Sequence, residues 1–170
     1  MISIMQLSKP VIAKVHGSAT AAGCQLVATC DLAICSNDAT FATPGVQIGL
    51  FCSTPMVALS RNINRKQSMA MLLTGEKVSA EKAKEIGLVN DCVAKDKLET
   101  KVLELANKIS SKSRKSVKIG KGAFYKQLEM GIGDSYDFTS QIMAENMMAH
   151  DAKEGISAFI EKRPPEWQDK

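Results

Sequence analysis

The chain has 170 residues, which suits one domain of ordinary size, and it is 45% hydrophobic but only 5% aromatic. We therefore expect an aliphatic, methionine-rich core, and no apolar run nears the roughly 20 residues that span a bilayer. The net charge of +4 suits an anionic ligand, while five cysteines without a CxxC pair argue against a disulfide framework or a zinc site.

The first half of the chain has α/β character. Apolar runs predict strands at residues 11–15, 32–35 and 40–42. Between the first two, the small residues 18–23 predict a tight turn, and residues 22–28 predict a short helix. The pattern of strand, turn, helix and strand is typical of a chain that alternates between sheet and helix layers.

The turn of small residues before the first predicted helix is the strongest candidate for a site. Small side chains let a ligand approach the backbone closely, and the first amides of a helix have no partner within that helix. Such amides carry partial positive charge and can hold an oxygen that becomes negative during a reaction. The alternative interpretation is that the small residues serve only close packing between helix and strand.

The second half of the chain is mainly helical in pattern. Ser53 is predicted to cap one helix, Ser79 to cap another that Gly87 stops, and Asp134 to cap a third. Apolar spacing predicts helices over residues 53–60, 66–73, 80–86, 98–109, 116–127, 134–150 and 152–159, with a short strand at 88–93.

Three stretches of the chain carry a family resemblance: Lys9-Pro10-Val11-Ile12-Ala13-Lys14-Val15-His16-Gly17, Ala21-Ala22-Gly23-Cys24 and Cys30-Asp31-Leu32-Ala33. They resemble the crotonase family of enoyl-CoA hydratases and isomerases, and the similarity continues in family order to residues 154–159. Residues 51–55 and 122–128 are similar to one member in particular. In the family Asp31 has a structural role.

The resemblance implies an α/β fold, the crotonase (ClpP-like) ββα spiral. Only the second half of the spiral is expected here, because the family's N-terminal part, with the motif that donates the other oxyanion amide, has no counterpart before Lys9. On this layout residues 1–95 are the C-terminal part of the spiral core, and residues 96–170 are a helical trimerisation region.

The resemblance also implies a chemistry, in which two backbone amides hold a thioester carbonyl and two glutamates activate a water. It places one amide at Ala22 and the glutamates at Gln25 and Gly45. A glutamine can orient water but cannot act as a base near neutral pH, and glycine offers no side chain. We therefore expect an acyl-CoA-binding relative of the lyases of fatty-acid metabolism whose hydration is lost or altered. The alternative is a non-catalytic acyl-CoA-binding or scaffold subunit of a crotonase-type trimer.

For coenzyme A, the resemblance points to Phe159 and Lys162 at the adenine end, often across a subunit boundary, with Met143 at a third position. A flat ring stacks on a base and a cation pairs with phosphate. The alternative is that Phe159 is a core residue and Lys162 is solvated. No metal and no tightly bound cofactor are expected, since coenzyme A enters as part of the substrate.

Further expectations concern other activities, the oligomeric state and the cellular location of the protein. Cys52, Ser53 or Thr54 could serve as a nucleophile with His16 as base, although His16 more simply fills a packing or hydrogen-bonding position. The basic segment 108–126 is a weaker indication of RNA binding, since a charge run is usually a solvated helix face. The resemblance implies a homo-oligomer, trimer or hexamer, and a mitochondrial location, although residues 1–8 have no targeting character.

Overall fold

The computed structural model describes all residues from Met1 to Lys170. The chain divides into two compact units. The first consists of Val11–Ala106 with Met1, and the second of Ile2–Pro10 with Asn107–Lys170. Ile2–Pro10 contains the short helix α1 (Ile2–Gln6). The family-based division into residues 1–95 and 96–170 stays a prediction.

The first unit begins with two successive ββα segments. In each, two short strands are followed by a helix that packs on the helix of the next segment. Their elements are β1 (Ile12–Val15), β2 (Ser18–Thr20) and α2 (Ala22–Thr29), then β3 (Leu32–Ser36), β4 (Thr40–Ala42), a 3-10 helix (Pro44–Ile48) and α3 (Ser53–Asn62).

Strand pairing links each segment to its successor. β1 pairs with β3 in parallel, with Ile12 opposite Leu32, and β2 pairs with β4 in parallel, with Ser18 opposite Thr40. The first strand of one segment thus pairs with the first strand of the next, and the second with the second, so that the backbone advances as a spiral. Two further strands complete two three-stranded sheets, of order β1-β3-β6 and β2-β4-β5; they are β5 (Val78–Ser79) and β6 (Asp91–Val93).

The remaining helices of the first unit are α4 (Arg65–Thr74), α5 (Ala80–Glu85) and most of α6 (Leu98–Ser110), which continues into the second unit from Asn107. The Ser79 side chain accepts a hydrogen bond from the Lys82 amide, so its predicted cap is confirmed. The predicted strand over residues 88–93 is too long, because the amides of Leu88 and Val89 both donate to the Ala83 carbonyl and close the end of α5.

Two predicted helix caps are wrong. Ser53 is the first residue of α3, Cys52 stands at the cap position, and the Ser53 hydroxyl donates to the Phe51 carbonyl. Asp134 lies inside the first turn of α8 (Ile132–Met147), which begins after Gly131. A carboxylate in a first turn is still favoured by the partial positive charge of the helix start.

The core of the first unit is aliphatic, but it is not rich in methionine. Phe41, Ile34, Leu59 and Leu72 are its largest fully buried side chains, and alanines and cysteines fill much of the rest. Of the nine methionines, Met71 alone belongs to the buried core. The predicted methionine content of the core is therefore wrong, because most methionines lie on exposed helix faces.

The second unit is helical, with α7 (Arg114–Gln127), α8 and α9 (His150–Glu161). Its C-terminal tail is held against α9 by backbone amides: those of Gln168 and Asp169 donate to the buried Asp151 carboxylate at 2.9 and 3.0 Å. Trp167 packs against Gly155, and its indole N–H donates to the Ser111 carbonyl. None of the helices in the structure combines the length and apolar character needed to cross a bilayer.

Candidate functional site

The start of α2 carries the geometry that the small-residue turn predicts. The Ala21 amide donates to the Ala42 carbonyl at 2.9 Å, which continues the β2–β4 ladder by one residue. At Ala21 the chain turns sharply, with φ 50° and ψ −111°, and the helix begins at Ala22. The β2–β4 ladder and helix α2 are thus joined by one residue, Ala21, whose backbone is strained.

The first amides of α2 are available to a ligand. Ala22 is exposed, and neither its N–H nor that of Gly23 donates to an acceptor within the chain. A Cβ added at Gly23 would meet no atom within 4 Å, so the space beside the helix start is open. These are the physical requirements of an oxyanion-binding amide, and Ala22 meets them.

Gln25 lies one turn into the same helix. Its backbone carbonyl accepts the Thr29 hydroxyl at 2.7 Å, while its half-buried side-chain amide makes no hydrogen bond within the chain. A free amide close to the start of α2 can orient a bound group by donating or accepting a hydrogen bond. Its role, like that of Ala22, stays a prediction.

Gly45, in the 3-10 helix after β4, has no room for a side chain. A Cβ there would lie 3.0 Å from the Cys52 Sγ, 3.0 Å from the Leu50 carbonyl oxygen and 3.1 Å from the Cys52 amide nitrogen. The loop is drawn against this position by a hydrogen bond from the Leu50 amide to the Gly45 carbonyl, at 2.9 Å. The position that the resemblance assigns to the second glutamate therefore has neither a carboxylate nor room for a side chain.

Cys52, before α3, lies beside this position, and it belongs to the same buried cluster as Cys24 in the first turn of α2. Burial raises the pKa of Cys24 to about 12; the neighbouring Cys52 adds to the rise, and the Ala42 amide, which hydrogen-bonds the sulfur, opposes it. Cys24 is therefore a neutral thiol at physiological pH and not a nucleophile. All five cysteines are free thiols.

The predicted nucleophile arrangement lacks an oriented base. His16 is exposed and has no hydrogen bond or ion pair within the chain, so it neither fills the core nor orients a thiol. Asp31 has a structural contact, because its carboxylate accepts the Val11 amide at 2.6 Å and ties the chain ahead of β1 to the start of β3.

Thr43 is a residue of this region that sequence reasoning missed. It is fully buried at the start of the 3-10 helix, and its hydroxyl has no hydrogen-bond partner. A threonine at a strand end carries no local signal of this state, because the burial arises from tertiary packing.

The coenzyme A candidates lie in the second unit and are exposed. Phe159 on α9 is 84% exposed and Met143 on α8 is 62% exposed, so the alternative that Phe159 is a core residue is wrong. Lys162 ends α9 in the left-handed region, with φ 55°, and its side chain is exposed. Their binding role stays a prediction.

Three of the seven cationic residues in the basic segment 108–126 contact other parts of the chain. Arg114 pairs with Asp169 at 3.1 Å, and the Lys121 ammonium donates to the carbonyls of Ile4 and Lys9. Lys126 lies 4.4 Å from the centre of the Phe138 ring. Of these contacts, only the Arg114–Asp169 ion pair offsets a positive charge, and RNA binding by the segment stays a prediction. No group of three or more His, Cys, Asp and Glu side chains in the structure is arranged to hold a metal ion.

Comparison with known proteins extends the resemblance over the whole chain. The family model described as enoyl-CoA hydratase/isomerase matches residues 1–170. The mitochondrial enoyl-CoA hydratase domain-containing protein 3 of Mus musculus is 50% identical over 167 residues, which are 98% of this chain and 56% of that protein. The chain thus spans little more than half the length of this relative.

Solved structures agree with the same fold. An enoyl-CoA hydratase from Mycobacterium smegmatis superposes with a TM-score of 0.96 at 54% identity, over 98% of this chain and 65% of that one. The human enoyl-CoA hydratase domain-containing protein 3 gives a TM-score of 0.94 at 50% identity, over 98% and 66%. The predicted crotonase fold is confirmed, and so is the resemblance of the chain to this particular member.

Proposed function

The chain belongs to the enoyl-CoA hydratase/isomerase family, and from this we propose that it binds acyl-CoA thioesters through the amides at the start of α2. The observation that carries the proposal is the exposed Ala22 amide, which has no acceptor within the chain and faces open space beside Gly23. A thioester carbonyl oxygen is an acceptor that such an amide can hold, and it gains negative charge when its carbon is attacked.

We propose further that ordinary hydration is lost or altered. Gln25 can orient a water or an acyl group, but it cannot take a proton from water near neutral pH. Gly45 contributes no side chain, and its surroundings leave no space for one.

The alternative within the same family is a non-catalytic scaffold subunit. Gln25→Glu helps to separate the two, because it adds a carboxylate at a half-buried position whose side chain makes no hydrogen bond within the chain. Hydratase activity in this variant would support a site that still presents substrate in a reactive geometry. A folded variant that shows no activity and does not bind butanoyl-CoA would support the scaffold.

Coenzyme A is proposed to contact Phe159, Lys162 and Met143. The exposure of the Phe159 ring supports stacking on the adenine base, and the unpaired Lys162 ammonium supports contact with phosphate. Coenzyme A would be part of the substrate rather than a resident cofactor.

The proposal also covers the oligomeric state of the protein and its location in the cell. Large apolar side chains recur at helical spacing on one exposed side of α8: Ile132, Tyr136, Met143 and Met147. Such a stripe supports a homo-oligomer, trimer or hexamer, with Met143 near a subunit boundary. The mitochondrial names of the mouse and human relatives support a mitochondrial location. We propose a role in fatty-acid metabolism from the match to the enoyl-CoA hydratase/isomerase family.

Calorimetric titration of butanoyl-CoA into the purified chain tests the proposal, once circular dichroism shows that the chain is folded. Saturable binding that is tighter than that of free coenzyme A supports it, because the thioester carbonyl is the group that the amides recognise. A folded chain that gives no binding heat would overturn it.

A further inference from the structure

Two cysteines of the first unit, Cys35 on β3 and Cys92 on β6, lie directly opposite each other in a parallel ladder. Neighbouring strands of a sheet lie about 4.7–4.9 Å apart, and the Cα atoms of a disulfide usually lie about 4.4–6.8 Å apart. The sheet therefore holds these two cysteines at a separation that a disulfide can span.

The register of this pair is fixed by hydrogen bonds on both sides of it. The Asn90 amide donates to the Ala33 carbonyl at 2.8 Å, and the Ala33 amide donates to the Asn90 side-chain oxygen at 2.8 Å. On the other side, the Asn37 amide donates to the Val93 carbonyl at 2.8 Å. A slip of one residue would break these bonds and turn one of the cysteines to the opposite face of the sheet, so the two stay paired.

The two thiols lie close together but differ in their access to solvent. They interact electrostatically, and Cys92 packs against the core cluster that contains the fully buried Cys35. Cys92 itself is half-buried, on a strand at the edge of its sheet. It also interacts with the ammonium of Lys84, whose side chain is 51% exposed. Cys92 is therefore the thiol that a solute reaches first.

We propose that Cys35 and Cys92 form a reversible disulfide that fastens β6 to β3, with glutathione disulfide as the oxidant. In the first step the Cys92 thiolate attacks one sulfur of glutathione disulfide, forms a mixed disulfide and releases one glutathione. In the second step the Cys35 thiolate attacks the Cys92 sulfur and releases the other glutathione. The two cysteine protons pass through solvent to the two glutathione thiolates, so two protein thiols are oxidised and one glutathione disulfide is reduced.

The second step should be the slower one. Burial raises the pKa of Cys35 to about 11, with further contributions from Cys92, Glu81 and Asp91, so little of its thiolate is present at neutral pH. β6 has only three residues and lies at the edge of its sheet, where local opening is easiest. Such opening lets Cys35 reach the mixed disulfide, which should accumulate at Cys92 before the protein disulfide appears.

The disulfide would stabilise the first unit. It closes a long loop of the chain that contains β4, α3, α4, β5 and α5. A crosslink across a long loop restricts the unfolded chain more than the folded one. We therefore expect the melting temperature to rise by about 5–15 °C when the disulfide forms.

Incubation of the purified chain with glutathione disulfide tests the proposal. Remaining thiols are blocked with N-ethylmaleimide, and peptide mapping without reductant identifies the linked cysteines. We expect a peptide that joins Cys35 to Cys92, a higher melting temperature by circular dichroism, and reversal of both by dithiothreitol. Cys92→Ser and Cys35→Ser should remove the rise in melting temperature. Cys30→Ser changes another half-buried cysteine and should keep it, so it is the matched control.

Three results would overturn the proposal: cysteines that stay free in the folded chain, a mixed disulfide at Cys92 that never passes to Cys35, and a linked peptide without a rise in melting temperature. A rise that persists in Cys92→Ser would also contradict it, and this variant decides the matter even where Cys35→Ser does not fold. The inference does not rest on the proposed function, because none of these results depends on the binding of butanoyl-CoA.

Discussion

The Ala21 amide donates a hydrogen bond to the Ala42 carbonyl, with nitrogen and oxygen 2.9 Å apart. This is the last bond of the β2–β4 ladder, and the next residue is already helical. Because no residue lies between ladder and helix, Ala21 must turn the chain alone, and it does so at a positive φ. The exposed amides of the candidate site therefore begin at the residue that directly follows this hydrogen bond.

The strain at Ala21 predicts a stabilising substitution. Ala21→Gly should raise the free energy of unfolding by about 1 kcal/mol, because glycine adopts φ 50° and ψ −111° without a Cβ penalty. Urea denaturation measures this. Ala28→Gly, within the same helix, is the control and should lower the free energy of unfolding by about 1 kcal/mol. Equal losses in both variants would show that Ala21 is not strained.

The crowding at Gly45 predicts that a side chain there is not tolerated. Gly45→Ala should destabilise the chain by about 1–3 kcal/mol, since the Leu50 carbonyl and the Cys52 amide must move. Gly23→Ala is the matched control; it meets open space within a helix and should be neutral or stabilising in the same urea titration.

Gly45→Glu carries the same clash, so it should fail to restore hydration even alongside Gln25→Glu. Hydratase activity in a stably folded double variant would contradict this expectation.

The unpartnered hydroxyl of Thr43 predicts a gain from an apolar replacement of similar shape. Thr43→Val should raise the free energy of unfolding by about 1 kcal/mol, because a buried hydroxyl without a partner is unfavourable. Thr29→Val is the matched control, since Thr29 is also buried but its hydroxyl donates to the Gln25 carbonyl. A loss of stability in Thr43→Val would mean that the hydroxyl has a partner in solution.

The C-terminal tail should detach from α9 in acid, because two carboxylates of that helix, Asp151 and Glu154, hold it. Hydrogen bonds from Arg163 and the Glu166 amide lower the pKa of Glu154 from 4.5 to about 2, and the Ser113 hydroxyl with the tail amides lowers that of Asp151. Groups with a lowered pKa stabilise the folded state above their unfolded pKa, and this stabilisation is lost as the pH falls through the folded value. We expect the tail to stay attached at pH 7 and to detach between about pH 4 and pH 2.

Trp167, the only tryptophan, reports on this attachment by fluorescence. Glu154→Gln should show part of the detached signal already at pH 7, because Arg163 keeps only Glu161 as a charged partner and the Glu166 amide loses a charged acceptor. Glu145→Gln, an exposed carboxylate of α8, should behave as the wild type. Identical acid curves for wild type and Glu154→Gln would rule out a role for Glu154 in holding the tail.

Substitutions at the end of α9 should affect the stability of the chain and its affinity for butanoyl-CoA separately. Phe159→Ala should change the free energy of unfolding by less than about 0.5 kcal/mol, since the ring is exposed, yet weaken butanoyl-CoA binding by about 1–2 kcal/mol. Phe124→Ala, exposed on α7, is the control for both measurements.

Lys162→Gly should weaken binding in the same titration but raise stability by about 1 kcal/mol, because it relieves a positive φ. Unchanged affinity in both Phe159→Ala and Lys162→Gly would remove these residues from the proposed coenzyme A site.

Local signals in the sequence predicted most of the elements correctly. Ser79 caps α5 as predicted, and Gly75 ends α4 in the left-handed region. By contrast β2 was missed, because Ser18-Ala19-Thr20 has no apolar alternation and is a strand only through its pairing with β4. Caps and stops depend on neighbouring residues, whereas such short strands depend on a partner more than 20 residues away.

The sequence predicts where the candidate site lies, but not which parts of it are open and which are filled. The sequence indicates a helix start at Ala22 and shows that Gly45 lacks a side chain. It does not show that the space beside Gly45 is filled, because this depends on how residues 49–52 fold back. The exposure of Phe159 was equally hidden, since a large aromatic at helical spacing is more often a core residue.

The spiral pairing of the ββα segments also bears on how the first unit folds. β1 meets β3, and β2 meets β4, although the paired residues are only about twenty positions apart, and closing so short a connection costs little entropy. Each segment can therefore add to its neighbour in turn, as in other stacked architectures. A substitution in one segment should disturb hydrogen exchange in the adjoining segment before it reaches more distant ones.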